Sequence, residues 1–407
     1  MKARKSLLTL SLLSCSVFMA ANSEALVTSL IDPNIDLSFS NPGARANAMG
    51  GAFIGVADDA TAAYTNPAGL TILTQTEASV EVKSAEITTR IRQEDQTILE
   101  LNNSTDGVSF LSYAKPSGKS TFALFRHEFI NIELDKFTFV SPAILGELAG
   151  TTYETKLNIR GATYGAGLGV KLHDKFSIGG SIGFSQLNYH YSVDRKYLDI
   201  TNSRNEVSDS AMDEQYSLSL LANPFGDLNV GLVYRVGPEL NTAFTYYGRR
   251  LENTLKVPDM YGIGISYRFF NSLTLAVDAN RIKYSDLLEN YYYFDPNKVI
   301  NAEWTLNTGD FEANDTTEVH AGFEYVFSIG ETPFALRGGY FHKPDHAIHY
   351  VGTSIAYYQD TMKEGEDDDI FSVGIGGVLS ENLQFDIAGS SGDFVEEINI
   401  SFVYRFQ

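Results

Sequence analysis

Hydrophobic and polar residues alternate with a period of two through most of the chain. Tyr261, Ile263, Ile265, Tyr267 and Phe269 fall on one face, and Gly262, Gly264, Ser266 and Arg268 on the other. The last such run sets Ile398, Ile400, Phe402, Tyr404 and Phe406 against Asn399, Ser401, Val403 and Arg405. Runs at 164–172, 176–185 and 319–327 repeat the pattern. Each predicts a strand of about ten residues with one greasy face and one polar or small face.

The full set of runs predicts strands over 76–90, 106–114, 119–130, 156–172, 175–193, 212–222, 229–246, 259–269, 272–284, 317–328, 334–343, 369–379, 383–391 and 396–406. The gaps between them alternate in length. Those at 91–105, 131–155, 194–211, 247–258, 285–316 and 344–368 are long, with 392–395 the short exception. Those at 115–118, 173–174, 223–228, 270–271, 329–333 and 380–382 are short. A soluble sandwich also alternates, with its greasy face as the core. Three features favour a membrane barrel instead: strands near the length that crosses a bilayer, aromatic residues at strand ends, and long loops on one side with tight turns on the other. The expected fold is therefore all-β, a transmembrane antiparallel β-barrel of fourteen strands in a bacterial outer membrane, with both ends of the barrel on the periplasmic side. Closure removes the exposed edges of an open sheet. Gly237-Pro238 interrupts the run 229–246, where proline cannot donate to a ladder, so a bulge or two separate strands is expected there.

Residues 26–75 break the alternation. They are rich in Ala, Gly and Asn, as in Asn41-Pro42-Gly43-Ala44-Arg45 and Met49-Gly50-Gly51-Ala52. Phe53, Ile54, Tyr64 and Leu70 argue against a disordered tail. The segment precedes the first strand and is expected to fold into the lumen of the barrel (76–407) as a plug.

Composition narrows the function. The 407 residues carry 51 acidic and 30 basic side chains, a formal charge of −21, which disfavours nucleic-acid binding. The single cysteine, Cys15, excludes a disulfide scaffold. Residues 1–25 read as a secretory signal: basic Lys2, Arg4 and Lys5, an apolar stretch from Leu7 to Ala21, and small Ser23 and Ala25 before the cleavage point. Leu12-Leu13-Ser14-Cys15 is a rival lipoprotein cleavage box, although the apolar stretch continues past it.

The run from Gly43 to Leu70 resembles the N-terminal hatch of the FadL family, outer-membrane transporters of long-chain fatty acids and other hydrophobic compounds. The resemblance rests on Gly43-Ala44-Arg45, Met49 to Ala52, Ala57-Asp58-Asp59-Ala60 and above all Asn66-Pro67-Ala68-Gly69. Val257-Pro258-Asp259 with the following strand, Gly322 to Tyr325 and Leu336 to Tyr340 extend it over most of the chain. Gln407 after Phe406 departs from the aromatic terminus usual in such barrels. The resemblance implies capture of a hydrophobic small molecule at the outer face, a greasy site in the lumen, lateral release through the wall, and a hatch that gates by moving. It implies no cofactor and no covalent chemistry. Expected partners are the substrate and outer-membrane lipid and lipopolysaccharide, for a protein acting as a monomer. The alternative is a secretion or assembly component that binds partner proteins through the same type of barrel.

Arg235, Arg268, Arg337 and Arg405 all fall on the small or polar face, and charge on the lipid face would cost about 2–4 kcal/mol each near the midplane. They are expected in the lumen near its periplasmic end, with Asp58 and Asp59 of the hatch or a substrate carboxylate as partners. Asn66, Pro67 and Ala68 are expected to form a rigid joint between plug and barrel. His342, Asp345, His346 and His349 have metal-ligand chemistry in a loop, but no metal site is assigned to so short a motif. Glu364 and Glu366 to Asp369 form an acidic run, either a solvated loop or a place for divalent cations bridging to lipopolysaccharide. Gly165, Gly167 and Gly169 lie inside a strand with no following helix, which argues against phosphate binding. No serine, histidine and aspartate set suggests an enzyme.

Overall fold

The computed structural model describes residues 37–92, 98–140, 152–197, 200–246, 249–289, 308–353, 359 and 363–407. The expected leader, the box at Cys15 and residues 26–36 lie outside the described residues. The first elements among the described residues are α1 (Ala44–Ala48), α2 (Ala62–Thr65) and a 3₁₀ turn (Pro67–Ile72). The strands that follow are β1 (Glu77–Arg92), β2 (Ile98–Ser117), β3 (Ser120–Val140), β4 (Thr152–His173), β5 (Phe176–Tyr197), β6 (Ile200–Phe225), β7 (Leu228–Val236), β8 (Glu239–Tyr246), β9 (Arg249–Lys256), β10 (Met260–Phe269), β11 (Leu273–Ile282), β12 (Phe311–Glu312), β13 (Thr316–Ile329), β14 (Thr332–Lys343), β15 (His349–Tyr350), β16 (Asp368–Ser380), β17 (Leu383–Ser391) and β18 (Val395–Arg405).

Fourteen of these strands close an antiparallel barrel, sealed by β1 against β18 from Glu77↔Arg405 to Ile87↔Val395. β8 with β9, and β12 with β15, form separate two-stranded pieces. The alternation has the expected sense. Ile263, Ile265, Phe371, Val373 and Ile398 are exposed on the outside, while Ser266, Asp278, Asn280, Asn399 and Ser401 are buried inside. An apolar exterior and a polar interior suit lipid rather than water around the barrel. The tight turns sit at one end, where Phe270 and Asn271 adopt φ of 50° and 58°, the left-handed pair of a two-residue hairpin turn.

One open expectation is resolved and another changes. The run 229–246 is two strands: the chain leaves the barrel at Gly237-Pro238, and 239–256 folds into the β8–β9 hairpin. Much of what reads as long loops is strand. β5 runs to Tyr197 and β6 starts at Ile200, inside the expected loop 194–211, and β3 runs to Val140 inside 131–155. These extensions project past the membrane. Their outer face meets water, so exposed Asn188, Arg204 and Glu206 and half-buried Asp194 remove the greasy signal there.

Residues 37–73 lie within the ring. Their backbone is bonded by wall side chains all around it: Gly43 N donates to Glu81 on β1, Gly50 N to Ser372 on β16, Phe53 N to Asp278 on β11 and Ala68 N to Ser219 on β6. The glycines of the inner face make this fit. A Cβ on Gly339 would lie 2.0 Å from Gly50 N, and one on Gly179 2.2 Å from Ala68 N. No side chain is accommodated at either contact.

Candidate functional site

The N-terminal segment is held in the lumen by carboxylates. Asp278 Oδ2 accepts from Phe53 N and Ile54 N, both at 2.7 Å. Glu81 accepts from Gly43 N, Asn47 Nδ2 and Ser109 Oγ. Such groups on a polar inner wall satisfy backbone donors that a short, irregular segment cannot pair within itself.

Arg45 is the centre of a larger network. Its guanidinium donates to Asp58 and bridges to Glu324 at 2.7 Å, and Asp59 lies 3.5 Å away. Burial pulls the Arg45 pKa down, but Asp58, Glu324 and Asp59 outweigh it and hold it well above the usual arginine value. Glu324 also meets Arg337 at 2.7 Å, and Arg337 reaches Asp386 at 2.8 Å.

The four expected arginines thus take different places. Arg268 comes within 3.8 Å of Asp58. Arg337 meets Glu324 and Asp386, and Arg405 meets Glu77 at 3.0 Å. Arg235 is 4% exposed and donates through Nη2 to the Tyr64 carbonyl, with its guanidinium 3.8 Å from the Tyr64 ring centroid. Because its strand ends at Val236, Arg235 lies at the outer end of β7, not near the periplasmic end. Asp59 accepts from Thr61 N and Thr61 Oγ1.

The Asn66-Pro67-Ala68 motif is a hydrogen-bonded turn. Asn66 is extended (φ −154°, ψ 91°), its Oδ1 accepts from Ala68 N, and its Nδ2 donates to Ile54 O at 2.9 Å and Leu220 O at 3.3 Å. One side chain therefore closes the 3₁₀ turn that Pro67 begins, ties it to the segment's own middle, and fixes both to β6.

Beyond this turn, towards the outer end, the interior turns apolar. Leu37, Phe39, Phe129, Ile130, Leu187 and Tyr189 belong to one buried cluster with Val233, Leu240, Leu255 and Met260. Leu240 and Leu255 come from the β8–β9 hairpin, which is braced on β6 by Glu239 N and Ala243 N donating to Asp213 and Asp209.

The wall is broken beside this cluster. β2 and β3 pair only from Phe110↔His127 to Ser117↔Ser120, although β2 stays paired with β1 to Ile98 and β3 with β4 to Val140. A bulge sits on each lip: Ser109 of β2 and Phe129 of β3 have no register partner. Such extra residues bend a strand away from its neighbour. Polar side chains replace the missing ladder. Asn103 Oδ1 accepts from Glu133 N and its Nδ2 donates to Asn131 O, while Arg126 donates to Val108 O and to Glu128. A cavity of about 90 Å³ lies inside, lined by Leu37, Phe39, Thr105, Glu128, Phe129 and Ile130. Arg126 and Glu128 share a face with lipid-exposed Phe122 and Leu124. Charge on a greasy face was the sequence signal that marks the break. Glu324, Asp278 and Glu81 carried only the weaker signal of acids on small or polar faces.

The loop histidines take separate partners: His342 meets Asp369 at 2.8 Å, His346 stacks on Tyr284 at 4.1 Å, and His349 Nδ1 lies 3.2 Å from Ala347 O. Among the described residues no group of three or more His, Cys, Asp or Glu side chains could hold a metal ion. In the acidic run, Asp367 accepts from Asp345 N and Asp368 from Asp393 N.

The closed fourteen-stranded barrel with an apolar exterior is an outer-membrane β-barrel, and residues 37–73 lie inside its ring. Its fold is that of the FadL proteins. A FadL homologue of Pseudomonas aeruginosa superposes with a TM-score of 0.62 at 13% identity, over 91% of this chain and 99% of that one. The Pseudomonas putida toluene transporter TodX gives 0.59 at 14%, over 91% and 100%. The monoaromatic hydrocarbon channel CymD gives 0.55 at 13%, over 90% and 97%. The sequence itself matches no family model and no curated protein.

Proposed function

We propose that this protein carries small hydrophobic molecules across the outer membrane. They are captured at the outer end, held in the apolar interior and released sideways through the break between β2 and β3. The observation that carries this reading is the cavity lined by Phe39, Phe129 and Ile130 that abuts Thr105 and Glu128 on the two lips of the break. A straight exit would put an apolar solute into water, whereas a lateral one delivers it to lipid, the lower free energy. The plug closes the axial route, so it shifts to admit substrate while its joint at Asn66-Pro67-Ala68 stays fixed. The fold shared with a toluene transporter and a monoaromatic hydrocarbon channel supports the reading.

The test is solute influx into proteoliposomes holding the purified barrel. Toluene or dodecanoate should enter faster than into protein-free vesicles, and glucose should not. Glucose influx at porin-like rates would reject the reading. So would the absence of any hydrophobic influx, the result expected of a partner-binding assembly component.

A further inference from the structure

Opposite charges stand in the barrel wall at the break. Arg126 and Glu128 are the seventh and ninth residues of β3, within the roughly 9–11 residues with which a tilted strand crosses the hydrocarbon. By parity they share the outer face with exposed Phe122 and Leu124, where charge destabilises a barrel. Their side chains are only 22% and 14% exposed, and Glu128 also lines the cavity on the inner side of the wall. Glu128 thus stands at the break itself, with lipid on one side and the cavity on the other. The hydrogen bonds of these side chains form one path across it. Arg126 donates to Val108 O of β2 and to Glu128 at 3.0 Å. Glu128 also accepts from Asn131 Nδ2 at 3.2 Å. Asn131 O accepts from Asn103 Nδ2 of β2 at 3.3 Å, so the path that leaves β2 at Val108 returns to it at Asn103.

Lipid offers no hydrogen bonds, so backbone groups left open by the missing ladder are met within the protein. Here side chains meet them. A side chain lets go by changing rotamer, whereas a ladder parts only when whole strands move. We propose that Arg126 and Glu128 are the latch of this break. Paired, they hold β2 and β3 together and close the cavity to lipid; parted, they open the wall sideways. Glu128 is the central member, because it receives from Arg126 on one side and from Asn131 on the other. Without its carboxylate the guanidinium has no counter-charge beside lipid, and its long stem lets it turn away towards the head groups.

The latch rests on the transport reading above, whose exit it controls, and two readouts separate them. The first needs no transport. Thr105, buried on the inner side of β2 beside the cavity, is replaced by cysteine and labelled with bimane; the chain's own Cys15 lies in the expected leader. Nitroxide-labelled phospholipid then quenches the bimane as far as lipid reaches through the wall. Glu128→Ala and Arg126→Ala should each raise quenching at least twofold, and the double substitution should add little to either, because the pair acts as one part. The second readout is influx into proteoliposomes holding the unlabelled variants. Toluene influx should rise at least fivefold, with glucose at background, since the opening leads to lipid. Heat-modifiable mobility on gels checks assembly. Glu128→Gln, which keeps the shape and loses the charge, should act in the same direction and serves where an alanine variant does not assemble. Unchanged quenching in assembled variants, a fall in toluene influx, or entry of glucose would overturn the latch and leave the pair a static brace, while the transport reading stands. If quenching rises but toluene influx matches protein-free vesicles in every barrel, wild type included, the latch stands and the transport reading fails.

Discussion

Arg45 shows how a few buried charges set the position of a whole segment. Arg45 and Arg337 are shared among Asp58, Asp59, Glu324 and Asp386. Removing one member of a buried pair typically costs about 3–5 kcal/mol, because the charges left behind stay desolvated. Arg45→Ala should therefore loosen the plug and raise single-channel conductance in planar bilayers, with heat-modifiable mobility unchanged. Asp58→Ala with Asp59→Ala should act in the same direction and more weakly, since Glu324 still holds Arg45. Unchanged conductance in Arg45→Ala would mean that the backbone bonds to Asp278 and Glu81 seat the plug alone. Gly339→Val tests the close approach from the wall side. Its Cβ would collide with Gly50 N, so the barrel should assemble with a displaced plug and a conductance above that of the wild type. Normal conductance with an assembled barrel would show that the contact is not needed. Sequence separates the polar and small face of each strand from the greasy one, because parity along a strand is a local property. It could not pair them: Arg45 and Glu324 are 279 residues apart and meet only because the ring closes.

At the scale of elements, all fourteen barrel strands were legible, since lipid on one side and polar interior on the other enforce a period of two. The β8–β9 hairpin was half legible, at Gly237-Pro238, where the ladder had to end. The break between β2 and β3 was not. It arises from two single-residue bulges, at Ser109 and Phe129, each of which shifts parity once and leaves the pattern on either side intact. Gly107 offers a way to close it. A Cβ built there meets nothing within 4 Å, so a side chain can start from this position without a close contact. Gly107→Trp should fill the space beside the break and cut hydrophobic influx at least tenfold, with hydrophobic binding retained. Full influx in this variant would place the exit elsewhere in the wall.

Across the whole molecule the barrel is lopsided. β3 to β6 have 21, 22, 22 and 26 residues, whereas β7, β10 and β11 have 9, 10 and 10. A tilted strand crosses the hydrocarbon core in about 9–11 residues, so the short side spans the membrane and little more. On the tall side the excess is roughly 10–15 residues, about 30–50 Å of strand beyond the bilayer at about 3.3 Å per residue. That sheet turns Leu187, Tyr189, Tyr191 and Val193 inward and Asn188, His190 and Asp194 outward. Such a screen makes sense only in water, outside the cell, where it can lean over the mouth of the barrel with the β8–β9 hairpin beneath it. The tight turns must then face the periplasm. An epitope inserted between Tyr197 and Ile200 should be reached by antibody on intact cells, while one inserted at 270–271 should be reached only after the outer membrane is permeabilised. Labelling of the 270–271 insertion on intact cells, in a barrel of normal gel mobility, would invert the molecule. The tall sheet would then stand in the periplasm, where it could not capture anything arriving from outside, and the direction of transport argued above would fall with it.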